Sequence, residues 1–160
     1  MPKVYAIIHD GTKVLVGSGG NSGDPPTLRG GYHLPGGTYN PNSKIISEKN
    51  PKNAAERELK EETGIQTIGV TAFTKAFNLK CQIPGGGEEE VMFVVAKVKS
   101  VDALSQNFQR PAVTNVHDEP FTSLIALLIS DRNNANFSAA HRTEWFKAGL
   151  TYAYQNDFLK

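Results

Sequence analysis

The sequence predicts an α/β fold, a sandwich in which a mixed β-sheet lies between helices. Runs rich in β-branched residues at 3–9 and 91–98 indicate strands. Between them, residues 51–63 follow a helical period, and a second helical pattern occupies 138–155. A sheet buries its apolar faces against helices when both kinds of element occur in one chain. These three observations favour a layered α/β domain.

The composition is that of one globular domain, and we expect a single domain over residues 1–160. Seventeen Lys and Arg against 16 Asp and Glu give a net charge of +1, which offers no electrostatic reason to bind nucleic acid or a membrane. Cys81 is the single cysteine, so an internal disulfide is excluded and a reducing compartment fits. No signal pattern precedes the first strand. We therefore expect a cytoplasmic protein. The sequence does not determine its oligomeric state, and a homodimer is one possibility.

A β-hairpin is predicted at the N-terminus. Residues 3–9 and 13–16 are two apolar runs, and the Asp10-Gly11 pair between them is typical of a tight turn. The stretch 17–31 that follows is rich in glycine and predicts a long loop. Its glycines resemble a phosphate-binding loop in content only, because the lysine and the spacing of a P-loop are missing.

Residues 51–63 carry the boundary signals of a helix at both ends. Asn50 is a good N-cap, and Pro51 suits the first turn, where its missing N–H is not needed. Gly64 is typical of the residue that ends a helix in a left-handed conformation. Leu59 belongs to the apolar stripe that faces a core, so the residues beside it are expected at the edge of buried structure.

Three glutamates share one side of this helix. Glu58, Glu61 and Glu62 stand at i, i+3 and i+4, where like charges cost about 0.2–0.5 kcal/mol per pair unless something positive lies against them. Mg²⁺ prefers oxygen ligands and is the first candidate. Arg57 could pair with one carboxylate and hold it in place. The alternative is a solvated helix whose charged side chains pair with one another.

The second half of the chain reads as strands followed by helices. Residues 67–79 and 91–98 are β-rich, and a triple-glycine turn separates them. The apolar stretch 123–130 is interpreted as a short helix. In the last helix, Phe146 and Leu150 recur at helical spacing, and we expect them to pack against the sheet.

Two segments together resemble the signature box of the Nudix hydrolases. They are Leu34-Pro35-Gly36-Gly37 and Arg57-Glu58-Leu59-x-Glu61-Glu62-x-Gly64-Ile65. The family pattern is Gly, five residues, Glu, seven residues, then Arg-Glu-apolar-x-Glu-Glu-x-Gly-apolar. Here ten residues separate Gly37 from Glu48 and eight separate Glu48 from Arg57, which makes an insertion of about six within 38–53. Residues 44–46 in this insertion are expected to form a brief strand or to cover part of a pocket.

The resemblance implies a Nudix fold and a set of metal ligands. By position, these ligands are the Gly36 carbonyl and the carboxylates of Glu58, Glu61 and Glu62, which would hold Mg²⁺, with Mn²⁺ as a substitute. Arg57 is then the residue that orients a glutamate. Many Nudix enzymes draw one further glutamate from a later loop. Glu119 is the first choice for that catalytic role in this chain.

The remaining site residues are also implied by position. Glu90 is the second choice for the further glutamate. Tyr32 and His33 stand where many family members carry an aromatic residue near the base pocket, and simple packing is the equal alternative. Arg29, from the glycine-rich loop, is a predicted phosphate contact.

The reaction implied by the resemblance is Mg²⁺-dependent hydrolysis of a pyrophosphate bond in a nucleoside diphosphate linked to another moiety. The implied partner is a small-molecule nucleotide, and the subclass markers that the family places after the box are not found here. The alternative is a non-catalytic nucleotide-binding or regulatory module, because the insertion could displace the Gly36 carbonyl from the helix. The intact helix carboxylates and Arg57 favour the enzyme.

Overall fold

The computed structural model describes residues 2–20, 31–83, 85–114, 119–137 and 140–160. The predicted phosphate contact, Arg29, lies outside these ranges, as does most of the predicted glycine-rich loop. In the described part of the chain, no helix is long and apolar enough to cross a membrane.

One mixed sheet forms the centre of the fold. Its strands are β1 (Lys3–His9), β2 (Lys13–Ser18), β3 (Gly36–Thr38), β4 (Phe73–Gln82), β5 (Glu88–Lys97) and β6 (Ser123–Leu128). They are ordered β4-β5-β1-β2-β6, and β3 pairs with the start of β1. β1 runs parallel to β5, and the other pairings are antiparallel. This confirms the predicted hairpin of the first two strands.

Within the described ranges, four α-helices accompany the sheet: α1 (Ile46–Lys49), α2 (Pro51–Thr63), α3 (Val101–Gln106) and α4 (Ala140–Gln155). Helix α2 begins as predicted, with the Asn50 side chain accepting hydrogen bonds from the Lys52 and Asn53 N–H groups. It ends at Gly64, whose φ of 74° is the left-handed conformation that glycine adopts without strain.

The two long helices pack on opposite faces of the sheet. Alternate residues of β1 separate the two cores, since Val4 and Ala6 point towards α2 whereas Tyr5 and Ile7 lie with the residues of α4. The α2 core includes Ala54, Ala55 and Leu59, and the α4 core includes Phe146, Leu150 and Ala153. The predicted α/β/α sandwich is confirmed.

Two local predictions are wrong. The stretch 123–130 is not the predicted helix: residues 123–128 form β6, which pairs antiparallel with β2 and is followed by a short 3-10 turn at Ile129–Asp131. The insertion contains the helix α1 rather than a strand at 44–46, and Ile45 and Ile46 are more than half exposed. In both cases the run of apolar residues is too short for its period to distinguish helix from strand.

A buried histidine at the end of β1 makes stability depend on pH. His9 is 1% exposed, and its Nδ1 accepts a hydrogen bond from the Gly11 N–H at 3.1 Å. Burial, with the charge of Lys97 as a second cause, lowers the pKa of His9 below 6.5, although Asp10 opposes the shift. The unfolded chain therefore binds a proton near pH 6.5 that the folded chain does not, and the free energy of unfolding falls as the pH drops below that value.

We expect His9→Asn to remove part of this pH dependence. The Asn side-chain oxygen can accept the Gly11 N–H but does not titrate, so only the wild type should lose His9-linked stability, up to about 1.4 kcal/mol per pH unit. Urea unfolding at pH 7.5 and pH 5.5 measures the difference. The two proteins share every other titrating group, and Asp10 is the carboxylate that loses its interaction with His9 in the variant. An equal loss of stability in both proteins would contradict the role of His9.

Candidate active site

The three glutamates of α2 differ in their exposure. Glu58 is 5% and Glu62 is 1% exposed, whereas the side chain of Glu61 is 35% exposed. The difference follows from the helix period, because Glu58 and Glu62 stand one turn apart beside Leu59, which faces the α2 core. Two carboxylates of like charge are thus held close to the interior, where a charge is costly unless it is compensated.

The diglycine turn at the start of β3 lies directly against these carboxylates. The Gly36 N–H donates a 2.8 Å hydrogen bond to Oε1 of Glu62. A Cβ atom at Gly37 would stand 2.6 Å from Oε1 of Glu58, which is closer than real Cβ contacts. The turn and the helix approach each other this closely because Gly37 lacks a side chain. At Gly36 the missing Cβ instead leaves room for β1, since it would clash with the Val4 carbonyl oxygen.

Arg57 forms ion pairs with two of the three glutamates of α2. Its Nη1 lies 3.2 Å from Oε1 of Glu58 and 3.3 Å from Oε2 of Glu61. Its Nε donates to the carbonyl of Ser47, in the insertion, at 3.2 Å. One guanidinium therefore connects two glutamates of the helix with the loop that precedes it.

A cleft of about 440 Å³ opens beside this arrangement. It is lined by Thr38, Tyr39, Asn40, Glu48, Arg57 and Glu61. Burial, followed by the negative charge of Glu90, raises the pKa of Tyr39, so its hydroxyl stays protonated and can donate a hydrogen bond at neutral pH. The cleft thus places hydrogen-bonding groups of the insertion next to the acidic helix.

The donor set of the site fits a hard divalent cation. No three His, Cys, Asp or Glu side chains in the described ranges converge into a ready metal site. Mg²⁺ does not require such a group, because proteins usually bind it through one or two carboxylates together with water and substrate phosphate. Glu58 and Glu62, both buried against the turn that contains Gly36, are the residues that could hold it.

The two candidates for a further catalytic glutamate lie at different ends of the site. Glu119 forms an ion pair with Arg110 at 3.3 Å, and its loop touches the last turn of α2, where the Phe121 N–H donates to the carbonyl of Glu62. Glu90 is exposed on β5 opposite Lys80, on the side of Tyr39. The structure therefore brings the loop of Glu119 to the end of α2, whereas the charge of Glu90 acts on Tyr39, which lines the cleft.

Tyr32 and His33 lie in or against the core rather than in the acidic cleft. His33 is 4% exposed, its ring centroid is 4.8 Å from that of Phe146, and its Nδ1 is 2.6 Å from the carbonyl oxygen of Leu34. Tyr32 is half-buried against the α4 core, with its ring edge towards Phe137. These positions are those of packing residues, and the role of either residue towards substrate stays a prediction.

Two features of the site were not predicted from the sequence. The carbonyl of Ser47 holds Arg57, and Tyr39 and Asn40 line the cleft. A backbone carbonyl carries no signal in the sequence. The insertion itself indicates where such contacts can arise, since it directly precedes the helical part of the box and must run close to it.

The mixed sheet between two helices, with an acidic helix packed on a diglycine turn, defines the class of the Nudix hydrolases. The chain belongs to this family, because the model of the NUDIX domain matches residues 1–146. It is therefore a hydrolase of the Nudix class. No curated protein sequence matches the chain at a significant level.

Solved structures share the fold at low sequence identity. The MutT protein from Methanosarcina mazei Go1 is 18% identical with a TM-score of 0.53, and the match covers 96% of this chain and 94% of that one. A C. elegans Ap4A hydrolase is 17% identical with a TM-score of 0.53 and 98% coverage of both chains. The NUDIX domain of Shewanella oneidensis NrtR, complexed with ADP ribose, is 15% identical with a TM-score of 0.53 over 95% and 88%. These similarities show the fold alone.

Proposed function

We propose that the protein is a Mg²⁺-dependent pyrophosphohydrolase. Its substrate is a small molecule, a nucleoside diphosphate linked to another group, and its products are a nucleoside monophosphate and the phosphorylated remainder. With a triphosphate, the second product is pyrophosphate. The observation that carries the proposal is the burial of Glu58 and Glu62 against the Gly36-Gly37 turn, because this places two carboxylates where a cation and a phosphate can meet.

The residues of the site have different roles in this reaction. Glu58 and Glu62 hold the cation, together with the Gly36 carbonyl and Glu61 that the box implies. When bound, Mg²⁺ neutralises phosphate charge and lowers the pKa of a bound water. Arg57 keeps Glu58 and Glu61 in position through its two ion pairs.

The proton of the attacking water must pass to a base. Glu119 is the first candidate because its loop is hydrogen-bonded to the end of α2, and Glu90, whose charge acts on Tyr39 of the cleft, is the second. The reaction takes place in one domain over residues 1–160. The lone Cys81, which is buried and whose pKa is raised to about 11 by burial and then by Glu89, is compatible with a cytoplasmic enzyme.

A substrate panel tests the proposal. Release of nucleoside monophosphate, together with pyrophosphate or the phosphorylated remainder, is measured with and without Mg²⁺ for deoxynucleoside triphosphates, ADP-ribose, NADH, nucleotide sugars and dinucleoside polyphosphates. We expect metal-dependent turnover of one class, with Mn²⁺ able to replace Mg²⁺. Nucleotide binding without turnover of any class would contradict the proposal and would identify a regulatory module instead.

A further inference from the structure

The inserted segment before α2 lines part of the cleft and also contacts the active-site residue Arg57 through one backbone carbonyl. The carbonyl oxygen of Ser47 accepts a hydrogen bond from Nε of Arg57 at 3.2 Å. Arg57 is one of the residues that match the Nudix box, whereas Ser47 lies in the stretch where this chain departs from the box spacing. The contact thus joins the insertion to a residue of the box.

The Ser47 carbonyl is available because α1 is very short. In a helix of four residues, the last carbonyls have no partner within the helix. The Asn50 N–H donates to the carbonyl of Ile46, so this orphan acceptor is satisfied locally. The next carbonyl, that of Ser47, points past the end of α1 and receives the Arg57 side chain instead.

The turn that carries Ser47 is fixed by its own hydrogen bonds. Ser43 Oγ donates to the Glu48 carboxylate at 2.9 Å and accepts from the Ile45 N–H at 3.1 Å. The Asn40 N–H donates to the carbonyl of Glu48 at 2.6 Å, which closes the base of the loop. These bonds hold Ser47 at a defined place beside α2.

Through the rigid guanidinium of Arg57, the position of the Ser47 carbonyl also determines where Glu58 and Glu61 are held. The group is planar and its donors have fixed directions, so binding Ser47 with Nε determines where Nη1 points. Nη1 lies 3.2 Å from Glu58 and 3.3 Å from Glu61. A lysine in place of Arg57 would keep the charge but could not hold the carbonyl and both carboxylates in one fixed arrangement.

We propose that the inserted turn is a positioning element, which acts through Arg57 to place Glu58 and Glu61 for binding of a divalent cation and phosphate. The inference rests on the proposed function for its effect on turnover. It makes residues 41–47 part of the active-site framework rather than a lid over the substrate, because their contact is with Arg57 and not with the solvent side of the cleft.

Excision of the loop tests this role. Residues 41–47 can be replaced by two glycines, since Asn40 and Glu48 are already joined by a backbone hydrogen bond. Loss of a group that orients a metal ligand typically lowers activity or metal affinity about 10- to 100-fold. We expect a fall of this size in kcat with KM nearly unchanged, and a matching rise in the Kd for Mn²⁺, measured by electron paramagnetic resonance without substrate. Lys49→Ala, an exposed change just outside the excised residues, should leave kcat, KM and Kd unchanged.

A double-mutant cycle decides whether the loop acts through Arg57. Arg57→Lys alone should lower kcat and Mn²⁺ affinity, and excision in that background should add little, because the two changes break one connection. If the excised protein lacks a cooperative thermal transition, Ser47→Pro replaces it, since proline displaces Ile46 from the helical conformation and moves the carbonyl.

Three results would overturn the inference. The first is that kcat and the Kd for Mn²⁺ are unchanged after excision. The second is that the fold-losses caused by excision and by Arg57→Lys multiply in the double variant. The third is that excision changes KM alone, which would make the loop a substrate lid. The Mn²⁺ measurement does not depend on turnover. A wild type that binds Mn²⁺ but hydrolyses nothing would therefore refute the proposed function while still testing the positioning role.

Discussion

Glu62→Gln is expected to lower turnover about a hundredfold or more while the fold stays intact. Glutamine has the shape of glutamate, and its side-chain oxygen can still accept the 2.8 Å hydrogen bond from the Gly36 N–H. What disappears is the negative charge, at a site only 1% exposed, where little else can replace it as a ligand for a cation. The Mg²⁺ concentration for half-maximal activity should therefore rise as well.

Glu56→Gln is the matched control for this substitution. Glu56 is on the same helix, and it too accepts a backbone hydrogen bond, from the Val70 N–H at 2.7 Å, but it lies away from the diglycine turn. Glutamine at position 56 should leave both kcat and the Mg²⁺ dependence of activity unchanged. Steady-state kinetics and thermal unfolding of both variants separate loss of chemistry from loss of fold. Equal kcat values for Glu62→Gln and wild type would show that Glu62 is not in the site.

The elements predicted correctly are those with local chemical signals at their ends. Asn50, Pro51 and Gly64 fix the start and the end of α2, because capping and left-handed backbone are preferences of single residues. The first hairpin is defined in the same way by its turn. The three glutamates followed from the helix, since their spacing places them on one side once the helix is known.

The elements that were missed depend on contacts that only the folded chain reveals, whether their partners are near or far in sequence. Residues 123–128 are a strand because β2 offers an open edge to pair with, and a run of five apolar residues after Ser123 carries no period that reveals this. Helix α1 is held by the hydrogen bonds between Asn40, Ser43 and Glu48. The role of Ser47 could not be predicted for the same reason, because the partner of its carbonyl, Arg57, is identified only by the fold.

Gly37→Ala is expected to lower kcat about a hundredfold with a much smaller effect on stability. The backbone of Gly37 is one that alanine adopts, since its φ is not positive. The added Cβ would stand 2.6 Å from Oε1 and 2.8 Å from Cδ of Glu58, so the carboxylate must move aside. A displacement of about 1 Å in a reacting group can cost a hundredfold in rate.

A graded series makes this test specific to the contact. Serine and valine at position 37 should lower kcat further than alanine does, because each brings more atoms towards the carboxylate of Glu58. Gly69→Ala is the control, since a Cβ there would meet only the carboxylate of Glu56, at 3.9 Å, which is an ordinary contact. If kcat fell only in proportion to the loss of folded protein, measured by thermal unfolding, the close approach of the turn would serve packing. A fall in kcat with the melting temperature nearly unchanged would mean that the glycine is there to leave room for a catalytic carboxylate.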